Sequence, residues 1–228
     1  MNSFARELEE RQAAYFAAMS EQDRRLVEDA DRSVKDSFTY ANAIQAGDRA
    51  PDFELPTAGG GRISLASTCR NGPVVVSFYR GRWCPFCSLE MGALAMVHGA
   101  IEGKGATLLA ISPQSASAAS AMRRDHAVDF PLLIDREARA SERYGLLFEL
   151  PAEIREMSQQ SGFEPVLRDG SEEWLIPVPA TYVIGEDQRV RYSFLDINYR
   201  NRLDPQLLGG IVAKLRSEDA LASRRSQA

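Results

Sequence analysis

The sequence predicts an α/β fold: a mixed, mostly parallel central sheet with helices on both faces and a helical extension at the N-terminus. Three observations carry this reading. Apolar, β-branched runs at 73–78, 106–112 and 130–134 alternate with segments of helical periodicity, the pattern of strands joined by crossover helices in a parallel sheet. Two further runs, 180–184 and 189–194, are separated by the turn Gly185-Glu186-Asp187-Gln188 and form a hairpin, which makes the sheet mixed. Residues 1 to about 30 carry a broken apolar stripe of Phe4, Leu8, Tyr15, Phe16, Met19, Leu26 and Val27 among Glu, Arg and Asp, and read as a helix ahead of the sheet.

Taken in order, that leading helix suits two placements, against the edge of the domain or as an arm in a homodimer. The folded domain starts near residue 47, where 48–56 and 62–65 alternate in the strand manner around the turn Thr57-Ala58-Gly59-Gly60-Gly61. The run 73–78, bounded by Asn71-Gly72-Pro73 and Arg80-Gly81-Arg82, is a central strand. A helix follows from Pro85, with Phe86, Leu89, Met91, Leu94 and Val97 at roughly helical spacing. Gly103-Lys104-Gly105 ends it. Residues 115–126 form a Ser/Ala-rich helix, and a further helix is expected at about 136–144. Residues 146–175 are less periodic, with a helical turn or two at 154–160, and read as an insertion near the site or an oligomer contact. Asp204-Pro205 caps a final helix through Leu215, because Asp accepts the early amides and Pro suits the first helical position. The division is therefore 1–46, an extension; 47–215, the domain; and 216–228, a polar, frayed tail.

Composition excludes several classes of protein. With 228 residues, 44% of them hydrophobic, the chain can build one sizeable core. A net charge of -5 gives no nucleic-acid footprint, and no apolar run approaches the roughly 20 residues of a membrane span. The first thirty residues lack the apolar region of a signal peptide. Three cysteines make no disulfide framework, so a reducing cytoplasm fits best.

The chemistry concentrates in Tyr79-Arg80-Gly81-Arg82-Trp83-Cys84-Pro85-Phe86-Cys87, at the junction between central strand and helix. Cys84 falls at a helix N-terminus, exposed, with Cys87 one turn further in and less accessible. Residues three apart on a helix have Cβ atoms about 5 to 6 Å apart, within a small adjustment of disulfide reach. Free amides, the helix dipole and cations lower a thiol pKa from about 8.5 to roughly 3.5–7.5, and Arg80 and Arg82 supply the cations unless they face solvent. The pair could instead be half of a zinc site or two inert core residues. Zinc, however, wants four ligands, and the chain offers only Cys69, His98 and His126 besides, with no second close pair. Cys69, placed in a polar loop, reads as a bystander rather than an intermolecular resolving thiol, and the two histidines as surface or satisfied side chains. Pro179, just before the strand 180–184, is either an edge breaker or the second half of a cis Val178-Pro179 bond that presents the Val178 backbone to a substrate beside Cys84.

The segment 78–87, with 47–53 ahead of it and Ala110-Ile111-Ser112-Pro113 and 178–184 after it, resembles the peroxiredoxin-like branch of the alkyl hydroperoxide reductase and thiol-specific antioxidant family. The resemblance spans about 47–215. Trp83-Cys84-x-x-Cys87 and the pre-strand proline are shared more widely with thioredoxins. It implies a thioredoxin fold, with Cys84 as peroxidatic cysteine, Cys87 as the second thiol, Arg80 and Arg82 in catalysis, and Trp83, Pro85, Val178 and Pro179 around the substrate. One departure stands out: typical members carry Pro-x-x-x-Thr/Ser-x-x-Cys, whereas here those positions are Ser77 and Gly81. Of the distant arginines that could assist, Arg189, Arg191, Arg200 and Arg202 are all available.

The implied reaction needs no bound cofactor. Cys84 attacks a peroxide and becomes a sulfenic acid, Cys87 condenses with it, and a thioredoxin-like or low-molecular-weight thiol reduces the disulfide. Two other activities suit the same residues: thiol-disulfide exchange on protein substrates, favoured by the missing hydroxyl, and a non-enzymatic redox sensor.

Overall fold

The computed structural model describes residues 3–225. The N-terminal segment is two helices rather than the single one expected, α1 (Ser3–Ala17) and α2 (Glu21–Ser37). Ser20 breaks them apart: in an extended conformation it caps α2 by accepting a hydrogen bond from the Asp23 amide at 3.0 Å. Both lie on the body of the protein, with Phe4, Val27, Ala30 and Val34 buried.

The chain then forms the hairpin β1 (Glu54–Pro56) and β2 (Arg62–Ser64), a short helix α3 (Leu65–Cys69), the fully buried strand β3 (Val74–Phe78) and the long helix α4 (Pro85–Glu102). Next come β4 (Thr107–Ser112), α5 (Ala116–Asp125), β5 (Leu132–Ile134) and α6 (Arg139–Arg143). The insertion holds β6 (Leu147–Glu149), α7 (Arg155–Gln160), β7 (Val166–Arg168), β8 (Ser171–Glu173) and β9 (Leu175–Pro177). The hairpin β10 (Ala180–Ile184) and β11 (Val190–Leu195) and the helix α8 (Leu208–Arg225) complete the fold.

The central sheet has the order β11-β10-β3-β4-β5, in which β3, β4 and β5 are parallel and β10 is antiparallel to both neighbours. Alternation along β3 divides the core. Val75 points into a cluster with Phe86, Met91 and Leu94 of α4, Met122 of α5 and Val212 of α8, whereas Val74, Val76 and Phe78 join Leu65 and Cys69 of α3 and Ala140 of α6. Helices therefore cover both faces. Since β3 is buried on each side, all five of its residues are apolar or, like Ser77, small.

Several sequence expectations are corrected. The helix predicted at 136–144 is only Arg139–Arg143, because the Asp135 carboxylate takes the Ala140 and Ser141 amides at 3.1 and 2.8 Å and Ala138 turns left-handed at φ 54°. The polar tail is helical through Arg225, with Lys214 and Glu218 paired one turn apart. Cys69 is not in a loop but ends α3, fully buried, where burial pushes its thiol up to about 11. The Val178–Pro179 bond is trans, since no described peptide bond is cis. Straight entry from β9 into β10 lets the Val178 amide donate to the Leu146 carbonyl at 2.8 Å, so that amide is not offered to a substrate.

Candidate active site

The site lies past the carboxyl end of β3, where the chain leaves the sheet and turns into α4. Gln114 fixes that loop from both sides: its amide nitrogen donates to the Tyr79 hydroxyl at 2.6 Å and its carbonyl oxygen accepts from the Arg82 amide at 2.8 Å. Gly81 adopts φ 148°, and a Cβ there would meet the Trp83 indole at 2.7 Å. This explains the missing hydroxyl residue, because only glycine fits where the indole folds back over the loop.

Cys84 is the N-cap of α4 and Pro85 its first helical residue. Both cysteines are free and fully buried, so Cys84 is not at an exposed helix mouth as its position suggested. Burial by itself would raise the Cys84 pKa. Against it act a hydrogen bond from the Cys87 thiol, the charges of Arg80 and Arg202 and the Cys87 backbone amide, which together hold Cys84 well below the usual thiol range. A helix N-terminus supplies at most about 2 kcal/mol. The guanidinium groups are therefore needed to keep a dry thiolate ionised. Cys87 moves the other way: burial, its hydrogen bond to Cys84 and the Cys84 charge push its pKa well up. The two thiols are driven in opposite directions, Cys84 toward the thiolate and Cys87 toward the protonated form.

The cations are held by aromatic rings and one carboxylate. Arg80, buried, approaches Cys84 Sγ with Nη1 at 3.9 Å, while its backbone amide donates to Cys87 Sγ at 3.4 Å. Its guanidinium lies between Tyr199, 3.8 Å from the ring centroid, and Trp83 at 4.6 Å. Arg202 donates from Nη2 to Cys87 Sγ at 3.4 Å and from Nε to Glu90 Oε2 at 2.7 Å. Glu90 is buried on α4, one turn beyond Cys87, and burial raises its carboxyl pKa despite Arg202. Arg200 also stacks on the Tyr199 ring, at 4.3 Å, and pairs through Nη1 with Asp31 of α2 at 2.7 Å.

The expected site residues thus separate. Cys84, Cys87, Arg80, Trp83 and Pro85 come together, and Trp83, Pro85, Arg80 and Cys84 share one cavity. Arg82 does not join them: its side chain is half exposed and turns to Asp125, Nε to Oδ2 at 2.7 Å. Val178 and Pro179 are buried in the strand entry and do not line that cavity. Among the four distant arginines, the structure brings Arg202 to the sulfurs and Arg200 to the neighbouring ring, while Arg189 and Arg191 bind the Gly47 carbonyl and Asp187. Glu90, Gln114, Tyr199 and Asp31 were missed. Glu90 had a signal, since a charge on the face that carries Phe86, Cys87, Met91 and Leu94 is out of place unless paired.

The AhpC/TSA family profile matches residues 46–193, more than half of the chain. The chain belongs to the AhpC/TSA family. It is therefore a peroxiredoxin-type thiol peroxidase, an oxidoreductase that consumes peroxide and is recycled by a thiol reductant. Among relatives, it is 28% identical over 105 residues to peroxiredoxin Bcp of Escherichia coli, a stretch covering 46% of this chain and 67% of that one. Among solved structures, peroxidoxin BcpB of Mycobacterium tuberculosis superposes with a TM-score of 0.59 at 22% identity, covering 76% of this chain and 97% of that one. A cysteine-to-serine mutant of PrxQ from Xylella fastidiosa gives 0.57 at 18%, covering 77% and 98%. These likenesses establish the thioredoxin-type fold of the family. The matched stretch contains both cysteines, but it ends before Tyr199, Arg200 and Arg202 and begins after α1 and α2. No helix among the described residues is long and apolar enough to cross a membrane.

Proposed function

We propose that Cys84 is the peroxidatic cysteine and Cys87 its resolving partner, with Arg80 and Arg202 as the charges that run the first step. The observation that carries this is the geometry at the start of α4: Cys84 caps the helix with Arg80 Nη1 3.9 Å from its sulfur, and Cys87 lies one turn on against Arg202 at 3.4 Å, an arrangement that lowers the Cys84 pKa and raises that of Cys87. The Cys84 thiolate attacks one peroxide oxygen, the O–O bond breaks, and the departing hydroxide or alkoxide forms beside Arg80, whose positive charge favours it. Cys84 becomes a sulfenic acid. The Cys87 thiol attacks that sulfur, water leaves, and a Cys84–Cys87 disulfide forms within one helical turn. Two electrons from a thioredoxin-like or low-molecular-weight thiol return both cysteines to the reduced state through a mixed disulfide. Glu90 is a positioning residue, since it orients Arg202 against Cys87 and touches no reacting atom.

Residues 1–46 would serve as a cover on the catalytic domain of 47–215, and the free thiols suit a reducing compartment such as the cytoplasm. The test is a pair of variants. Cys84→Ser should abolish peroxide consumption, and Cys87→Ser should allow one turnover and leave a sulfenic acid that dimedone traps at Cys84. Equal turnover in both variants would overturn the assignment.

A further inference from the structure

We propose that the cover over Cys84 makes this chain selective for hydrogen peroxide and peroxides of similar size, against bulky organic hydroperoxides; the inference rests on Cys84 being the peroxidatic cysteine. Cys84 borders a cavity of about 70 Å³. One water needs about 10–15 Å³ of such space and a benzene ring about 150 Å³, so the cavity holds a few waters or one small peroxide. An aryl hydroperoxide does not fit without moving the walls.

About a third of the residues in those walls come from chain outside the stretch that matches the family. Tyr15 belongs to α1, Val27 and Asp31 to α2, and Met157 to α7 of the insertion. Tyr15, Val27, Asp31 and the wall residue Tyr199 all lie outside the stretch 46–193 that matches the family. Nor are they loosely placed. Val27 is 4% exposed, the Tyr15 ring stands edge-on to Phe86 at 5.5 Å, and Asp31 is tied to the buried Arg200 at 2.7 Å. Enlarging the cavity therefore means separating an ion pair and several packed rings. Hydrogen peroxide, close to water in size and hydrogen bonding, needs only the fluctuations that admit a water molecule. A bulky substrate needs Val27 and Met157 displaced, and that requirement falls on the bulky substrate alone.

The experiment uses the reduced full-length protein and stopped-flow Trp fluorescence to follow oxidation by hydrogen peroxide, tert-butyl hydroperoxide and cumene hydroperoxide. The rate constants should fall in that order, with hydrogen peroxide ahead of cumene hydroperoxide by at least about tenfold. Val27→Ala and Met157→Ala enlarge the cavity, and each should raise the cumene-to-hydrogen-peroxide rate ratio by roughly tenfold. Equal wild-type rates for the three peroxides overturn the proposal, as does an unchanged ratio in both folded variants. Should the variants not fold, the wild-type size series decides by itself. A different failure belongs to the underlying assignment: if hydrogen peroxide oxidises Cys84 no faster than a free thiol, the peroxidatic role falls, and the selectivity with it.

Discussion

Arg80 and Arg82 stand two residues apart and do different things, and a pH profile separates them. Arg80 sits against Cys84 between two rings, whereas Arg82 is drawn to Asp125 at the surface. Cys84 ionises below the ordinary thiol range because bound charges outweigh burial, so removing Arg80 leaves burial less opposed and the midpoint must move to higher pH. Arg80→Gln should therefore slow iodoacetamide alkylation of Cys84 at neutral pH and shift its profile upward, while Arg82→Gln should leave the profile in place. A midpoint that stays put in Arg80→Gln would falsify the charge argument. Gly81 makes a second prediction at this scale. A serine there would restore the family's usual hydroxyl in name, yet its Cβ would collide with the Trp83 indole in a backbone region that costs a non-glycine residue about 1–3 kcal/mol. Gly81→Ser should lower both melting temperature and peroxidase rate, and a gain in rate would show that the hydroxyl, not the loop shape, is limiting. That Cys84, Cys87 and Arg80 come together was legible because they are local in the chain. Arg202 was not singled out, since it reaches Glu90 across 112 residues, a contact that spacing along the chain does not encode.

At the scale of elements, legibility followed periodicity. The strands β3, β4, β10 and β11 and the helix α4 were readable because each is a strong apolar pattern between breakers, and the parallel order followed from helices that must cross between strands. What failed to read were boundaries set by side chains that bond the backbone. Ser20 splits α1 from α2, and Asp135 delays α6 by taking two of its amides. The insertion was read only as a position, because its order comes from contacts with the site: Phe163 meets Trp83 edge-on at 5.5 Å and stacks on Trp174 at 5.5 Å, with Ile176 and Leu150 buried beside them. That ring bridge is what holds α7 over Cys84. Phe163→Ala should cost about 3–5 kcal/mol, as a buried aromatic truncation does, and should release Trp83 into a more solvated, red-shifted emission. Urea unfolding and a fluorescence spectrum measure both. An unchanged spectrum would mean that Trp83 is fixed by the loop alone.

Across the whole molecule, α2 and the Cys84 sulfur are joined through one stack of charges and rings: Asp31, Arg200, Tyr199, Arg80 and Cys84. In it Arg200 pairs with the Asp31 carboxylate, Arg80 lies against the Cys84 sulfur, and both guanidinium groups stack on Tyr199. Asp31 is about a third exposed at its side chain while Arg200 is 4% exposed, so loss of the carboxylate strands a buried cation rather than a surface one. Asp31→Asn keeps the size of the side chain and removes the charge, and should destabilise the protein by about 1–3 kcal/mol. Its effect on the site should exceed its effect on stability, because α2 loses the tie that seats Val27 against the cavity. A bulky maleimide should then label Cys84 faster in Asp31→Asn than in the wild type, in which the sulfur has no exposed surface. Equal labelling, alongside a lowered melting temperature, would mean that the ion pair stabilises the fold without governing entry, and that access to Cys84 is set by the insertion alone.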